Sequence, residues 1–259
     1  MAYEEITVYS IGELLENIEK MIKEENTRIW FRGHVCESYK LVPSVMRKEF
    51  IDYQECEDNF TSRFYDKAKI RIGKHIDKND YASWLSVMQH YALPTRLLDW
   101  SGSPLVAAYF AVHNCREVPE NDPQRNACIW ALRPRVLNAE QEGFDRIIYP
   151  LDSPKVKTLL EKAFMRNCNR SGQIIACWAV MDDPRVIMQQ SAFTVHDTDV
   201  PLEDSASGGL LKKFVIPFSC QESILYRLEI CGIRTSYLFP DMENISRQIK
   251  YEHKHKIEY

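Results

Sequence analysis

Between Gln89 and Val112 the chain concentrates side chains that could grip or act on a charged ligand. Gln89 and His90 stand at a helix end, Arg96 and Asp99 lie three apart in an apolar run, and Ser101 sits in the turn before Ser103-Pro104. A core would need only Leu97, Leu98, Leu105, Ala108 and Phe110 there. Polar groups this dense at a junction of elements suit a site, because loops held by a rigid scaffold commonly carry function. The segment IWFRGH, residues 29–34, adds Arg32, Gly33 and His34.

Each residue type implies a chemistry. The planar fork of Arg32 suits a pyrophosphate, and Gly33, lacking Cβ, permits a bend or the close approach of a ligand to backbone. Histidine side chains in general can exchange protons near neutral pH, so His90 is a candidate general base and His34 a weaker one. Ser101 could donate to a ribose or phosphate, and Tyr91, Trp100 and Tyr109 could stack on a base or nicotinamide. Gln190, polar among apolar neighbours, suggests a polar contact. Against these stand plainer roles: Arg32 paired with Asp99, Arg96 and Asp99 satisfying one another at a strand end, histidines and aromatics built into the core, and Ser101 serving only as a turn residue.

The elements that must position these residues are readable from periodicity. Ser10 and Glu13 have capping-box spacing ahead of an apolar stripe from Ile11 to Ile22. Residues 28–31 read as a short strand, 52–76 as a long helix, and Asn79 or Asp80 as the cap of a helix stopped near Pro94. Ser103-Pro104 opens a nearly all-apolar helix that must be buried. Residues 116–126 form a polar loop, ACIWAL a buried strand, and Lys155 to Phe164 a helix. QIIACWAVM, RVIMQQSAFTVH and LKKFVIPF read as further strands, with a loop over 197–210. Ser219 and Glu222 cap a helix closed by Gly232, and Asp241 opens a last one before a polar tail holding His253 and His255.

Helices come first, then strands with helices between them and no regular βαβ alternation. That order predicts an α+β fold, a mixed sheet with helices. No linker interrupts the 259 residues, so one domain is expected over 1–259, with its core at about 26–240.

Composition argues against several classes and leaves room for a local basic groove. A net charge of −4 provides no global basic field for nucleic acid or anionic membrane. Eight cysteines scattered without a C-x-x-C pair read as free thiols in a reducing compartment. With no long apolar run, the expectation is a cytoplasmic protein without a membrane segment. No metal-ligand motif, phosphate loop, dinucleotide fingerprint or nucleophile elbow is present, so no metal is predicted. Oligomeric state leaves no trace.

WFRGH, followed by YKLVPSVMR, then MQHYALPTRLLDWSGSPLVAAYFA and QQSAFTVH, resembles the FRG domain, a bacterial and phage-associated family named for its Phe-Arg-Gly motif. The likeness spans roughly residues 26–200. A weaker one, to ADP-ribosyltransferases of the arginine–serine–glutamate type, lies beneath it. In that family a first strand ends in an Arg-Gly holding NAD, a Ser/Thr strand precedes a small-residue helix, and a later strand bears a catalytic glutamate. Arg32-Gly33 matches the first place and Leu97 to Ser101, before Ala107 to Ala111, the second. At the third stand Gln189 and Gln190. An amide can hold a ribose hydroxyl but gives less help to an oxocarbenium-like transition state, so either Asp99 supplies the charge or the domain only binds nucleotide.

The resemblances together imply an NAD- or nucleotide-binding domain, an ADP-ribosyltransferase-like or NAD-hydrolysing enzyme of bacterial or phage conflict, such as a toxin or a phage-defence protein. Arg32, Gly33, His34, Ser101 and Tyr109 would bind NAD, and His90, Arg96, Asp99 and Gln190 would organise the reactive end. The alternative is a non-enzymatic module in which Arg32, Arg96 and the basic residues of 63–75 contact nucleic acid or a protein partner.

Overall fold

The computed structural model describes residues 3–25, 27–47, 53–73, 75–117, 125–166, 168–180, 183–205 and 209–255. Its strands are β1 (Glu4–Thr7), β2 (Trp30–His34), β3 (Leu97–Ser101), β4 (Ala127–Leu132), β5 (Tyr149–Pro150), β6 (Ile174–Trp178), β7 (Ser191–His196) and β8 (Leu211–Ile216). The helices are α1 (Ile11–Glu25), α2 (Tyr53–Ala68), α3 (Tyr81–His90), α4 (Pro104–Val112), α5 (Pro134–Ala139), α6 (Pro154–Glu161), α7 (Pro184–Met188), α8 (Leu202–Ser205), α9 (Phe218–Ile230), α10 (Thr235–Leu238) and α11 (Met242–His255). The fold is α+β, built on one mixed sheet in the order β1-β8-β4-β2-β3-β7-β6-β5. The pairs β1–β8 and β5–β6 are parallel and the rest antiparallel. Among the described residues no helix is long and apolar enough to cross a membrane.

Local signals act where the sequence places them. Glu13 N–H donates to Ser10 Oγ while Tyr9 N–H donates to Glu13 Oε2, closing the box at the start of α1. Asp80 accepts from Ser83 N–H, and Ser103 from Val106 N–H. Gly232, at φ +80°, turns the chain left-handed after α9. The helix over residues 242–255 continues into the stretch expected to be a polar tail.

Several expectations change: the helix read over 52–76 ends at Ala68, and the loop read over 197–210 contains α8. The strand read into RVIMQQSAFTVH begins only at Ser191; the preceding residues form α7, capped by Asp183 on Arg185 N–H and ended by Gln190 at φ +48°. An Asp-Pro start outweighs a partly alternating pattern too short to define a strand. β1 lies in the acidic N-terminal stretch and carries little apolar signal, since Glu4 and Glu5 are exposed; they pair with Lys212 and Lys213 of β8. Residues 118–124 of the predicted loop lie outside the described residues.

One face of the sheet carries two separate cores. Phe31, Ile129 and Phe214 pack with α1, α4 and α9, while Leu97, Phe193, Val195 and Ile175 pack with α3 and α6. Trp30, Leu98, Trp100, Trp130 and Ala192 line the opposite face, beneath Leu41, Leu137 of α5 and Leu202 of α8. The centre of the sheet is its weakest seam. β2 pairs with β4 from Trp30 to His34 and β3 with β7 from Leu97 to Ser101, yet β2 and β3 share only the Phe31–Ser101 pair.

Candidate functional site

A cleft of about 1760 Å³ opens where these two strands part, between the cores on either side. It is larger than an ordinary drug-sized pocket of ~300–1,000 Å³ and has room for a dinucleotide. Continuing the Phe31–Ser101 register, Gly33 would stand opposite Asp99, but no backbone pairing forms there. The Arg32 side chain fills the gap, its Nη1 donating to the Asp99 carbonyl oxygen at 2.6 Å. A carbonyl facing an unzipped seam needs such a donor.

Arg32 is anchored on its other side by donation from Nε to His34 Nε2 at 2.9 Å, and Nη1 lies 3.8 Å from Asp99 Oδ2. Burial and the like charge of Arg47 lower the Arg32 pKa while Asp99 raises it. Burial and the field of Arg32 push the His34 pKa down to about 3, so its imidazole is neutral and can accept from the guanidinium. Asp99 is half exposed and accepts from Gln89 Nε2 at 2.7 Å; Gln89 in turn is held by the Thr95 hydroxyl. Arg32, His34, Gln89 and Asp99 thus form one connected set on the cleft wall.

Gly33 serves packing. A Cβ there would overlap the Ala107 carbonyl oxygen and lie 2.6 Å from the Ala111 nitrogen. The missing side chain lets α4 lie against β2, so it is helix backbone that approaches the glycine closely.

His90 reaches the cleft from the end of α3. Its Nδ1 lies 2.8 Å from Asp183 Oδ2, and Arg185 Nη1 donates to the His90 carbonyl. Ser101 also lines the cleft, but its hydroxyl donates to the Gln189 carbonyl at 2.7 Å and accepts from Ser103 N–H. It fastens the end of β3 to the turn before β7.

Three other residues are placed differently from the sequence reading. Arg96 is 2% exposed and away from the cleft, held by both Glu57 oxygens, the Leu159 carbonyl and Asp197 Oδ1. Its expected partner Asp99 points elsewhere, because residues an odd number apart on a strand face opposite sides. Tyr109 is buried under α10, its hydroxyl bonded to Thr235 Oγ1 and its ring stacked on His113. Gln190 is exposed, its amide oxygen beside Gly102. Its neighbour Gln189 lines the cleft, because the left-handed turn reverses which glutamine faces inward.

The sequence reading missed Lys40, Arg47, Arg185, Asp183 and Phe239 on the cleft wall, which come from loops and short helices with no periodic signal. Arg71, also on that wall, lies in the basic stretch 63–75 singled out from the sequence. Five cationic side chains (Arg32, Lys40, Arg47, Arg71, Arg185) face the cleft against three carboxylates (Asp99, Asp183, Asp199), which gives it a positive balance despite the acidic whole. Among the described residues no three His, Cys, Asp or Glu are grouped to hold a metal ion.

No curated protein and no solved structure matches the chain. Residues 27–120 match the family model described as FRG domain. That span runs from β2 through α4 and holds Arg32, His34, Arg47, Gln89, His90, Asp99 and Phe110, whereas Asp183, Arg185, Gln189 and Phe239 lie beyond it. Much of the cleft wall therefore belongs to the matched segment, and the chain carries an FRG domain.

Proposed function

We propose that the cleft binds a phosphate-bearing nucleotide, with NAD as the ligand to test first. The observation that carries this is that Arg32 and Arg47 line the same cleft, near enough for the charge of Arg47 to act on Arg32. Two like charges whose fields raise each other's energy are relieved by an anion between them, and arginine is suited to phosphate by its fork of donors. Arg32 makes its contacts within the protein through Nε and Nη1, which leaves Nη2 for a ligand. Isothermal titration with NAD tests the reading on the wild type, Arg32→Ala and Arg47→Ala. Micromolar or tighter binding that weakens about tenfold or more in each variant supports it. Absence of binding, or equal binding by all three, removes it.

On this reading the chemistry would be cleavage of the bond between nicotinamide and ribose, with either water or an acceptor taking the ribose. Asp99 offers a carboxylate to stabilise positive charge at the anomeric carbon, and His90, oriented by Asp183, offers a base for the incoming hydroxyl. Release of nicotinamide, followed by chromatography, separates turnover from binding, and an NAD-consuming domain of this kind would serve in bacterial or phage conflict.

The exposed Lys40, Arg47 and Arg71 at the cleft favour a second reading, in which the anion is a nucleic-acid backbone and the domain is a binding module. Affinity for RNA or DNA falling steeply with salt, with none for NAD, would select it. A protein partner docking on the same cations would instead bind without either.

A further inference from the structure

The cleft has a second wall of different chemistry, formed by α4, α7 and the residue after α10. Phe110 and Phe239 meet edge to face there, ring centroids 5.8 Å apart at 89°, and both rings are only partly buried. The Arg185 guanidinium lies over the Phe239 ring at 4.5 Å. Gln189 donates from Nε2 to the Leu238 carbonyl at 3.0 Å, an arrangement that fixes the amide and leaves Oε1 as an acceptor. All four residues line the cleft.

Partly exposed aromatic rings beside an oriented amide suit a flat heteroaromatic ligand: the rings take its faces or edges, and the amide oxygen accepts from an exocyclic amine. Arg185 decides the charge of that ligand. Among the described residues no carboxylate lies within ion-pair distance of it, and only Asp241 feels its charge across a longer gap, so a cationic ring placed directly beside the guanidinium would be repelled. Oxidised nicotinamide carries a positive charge, whereas adenine is neutral and bears an amine.

We infer that the wall of Phe110, Phe239, Arg185 and Gln189 holds a neutral, amine-bearing base of the adenine type, with the phosphates of the same ligand directed to Arg32 and Arg47. The inference rests on the nucleotide reading above and adds its polarity. Of that wall only Phe110 belongs to the segment matched as FRG domain, and Arg185, Gln189 and Phe239 follow it. Base selection would then depend largely on the part of this chain that follows that segment.

The test is titration of ADP-ribose, nicotinamide mononucleotide and inorganic pyrophosphate into the wild type and Phe239→Ala, with Phe239→Leu as the second variant if urea melting shows that alanine disturbs the fold. The expected result is loss of about tenfold or more in ADP-ribose affinity, with pyrophosphate and nicotinamide mononucleotide changed less than about twofold. Undiminished ADP-ribose binding by a folded variant overturns the inference while leaving the phosphate site standing. Weakened mononucleotide with unchanged ADP-ribose also overturns it, because the wall would then hold the nicotinamide ring. A wild type that binds none of the three overturns the nucleotide reading itself, and this inference with it.

Discussion

Arg32 Nη1 donates to the backbone carbonyl of Asp99 at 2.6 Å, so a side chain makes the bond that the β2–β3 ladder leaves unmade. One arginine thereby holds the central seam together and faces the cleft that the seam creates. The carboxylate of Asp99 is a separate matter: it lies 3.8 Å from the same nitrogen and is half exposed. Asp99→Asn keeps the carbonyl contact and removes only the charge. Half-exposed ion pairs contribute little, so urea denaturation should shift by less than ~1 kcal/mol, while any nicotinamide release should fall by about tenfold or more. Unchanged turnover would remove Asp99 from the chemistry.

Gly33→Ala tests the packing role of the glycine. The added methyl would meet helix backbone, the Ala107 carbonyl and the Ala111 nitrogen, neither of which can rotate away. Overpacking of this kind costs ~1–3 kcal/mol or more. The urea midpoint should fall accordingly, or the variant should fail to accumulate in folded form. A stability equal to wild type would show that α4 can shift off β2.

Arg96 and Arg47 should separate in behaviour although both are arginines of the FRG segment. Arg96→Ala leaves Glu57, 1% exposed, and Asp197, 2% exposed, without their shared cation. Breaking a buried pair from one side costs ~3–5 kcal/mol. Arg47 is exposed, and Arg47→Ala should melt with the wild type while losing ligand affinity. Chemical denaturation run beside the NAD titration distinguishes them; an Arg96→Ala protein of wild-type stability would contradict the structural role.

Much of this architecture was legible in the residues. The cap at Asp80 and the Ser103-Pro104 start gave α3 and α4, and the short strand read over residues 28–31 is present but runs from Trp30 to His34, because periodicity and turn chemistry are local while strand ends depend on pairing. What stayed hidden depends on contacts distant in the chain. Arg96 reads as a site residue in LPTRLLDW, and only the arrival of Glu57 and Asp197 makes it a buried pair. Gln189 and Gln190 are chemically identical, and one left-handed turn decides between them. Phe239 lies far from Phe110 in sequence, so nothing in either neighbourhood announces their contact.

Acid should destabilise the fold through two histidines held neutral inside it. His34 is 6% exposed, and burial with the fields of Arg32, Arg47 and Lys213 brings its pKa to about 3, outweighing an opposing hydrogen bond with the Tyr39 backbone. His196 is fully buried, accepts from or donates to Thr194 Oγ1 at 2.8 Å, and burial with Arg32 and Arg96 brings it to about 3 as well. Because both folded pKa values lie below the unfolded value of ~6.5, the unfolded chain takes up protons first as pH falls. Stability is therefore unaffected by these groups above pH ~6.5 and declines progressively from there toward pH ~3. At pH ~5 each histidine should cost about 2 kcal/mol, about 4 kcal/mol together if independent. Asp197 adds to the loss lower down: burial would raise its pKa, but Lys162, Ser171 and Arg96 outweigh that and hold it below the ordinary value. Urea unfolding at pH 7 and pH 5 measures the histidine contribution, and His34→Gln should make the profile shallower by about half. A midpoint independent of pH across that window would mean that the two imidazoles protonate in the folded state.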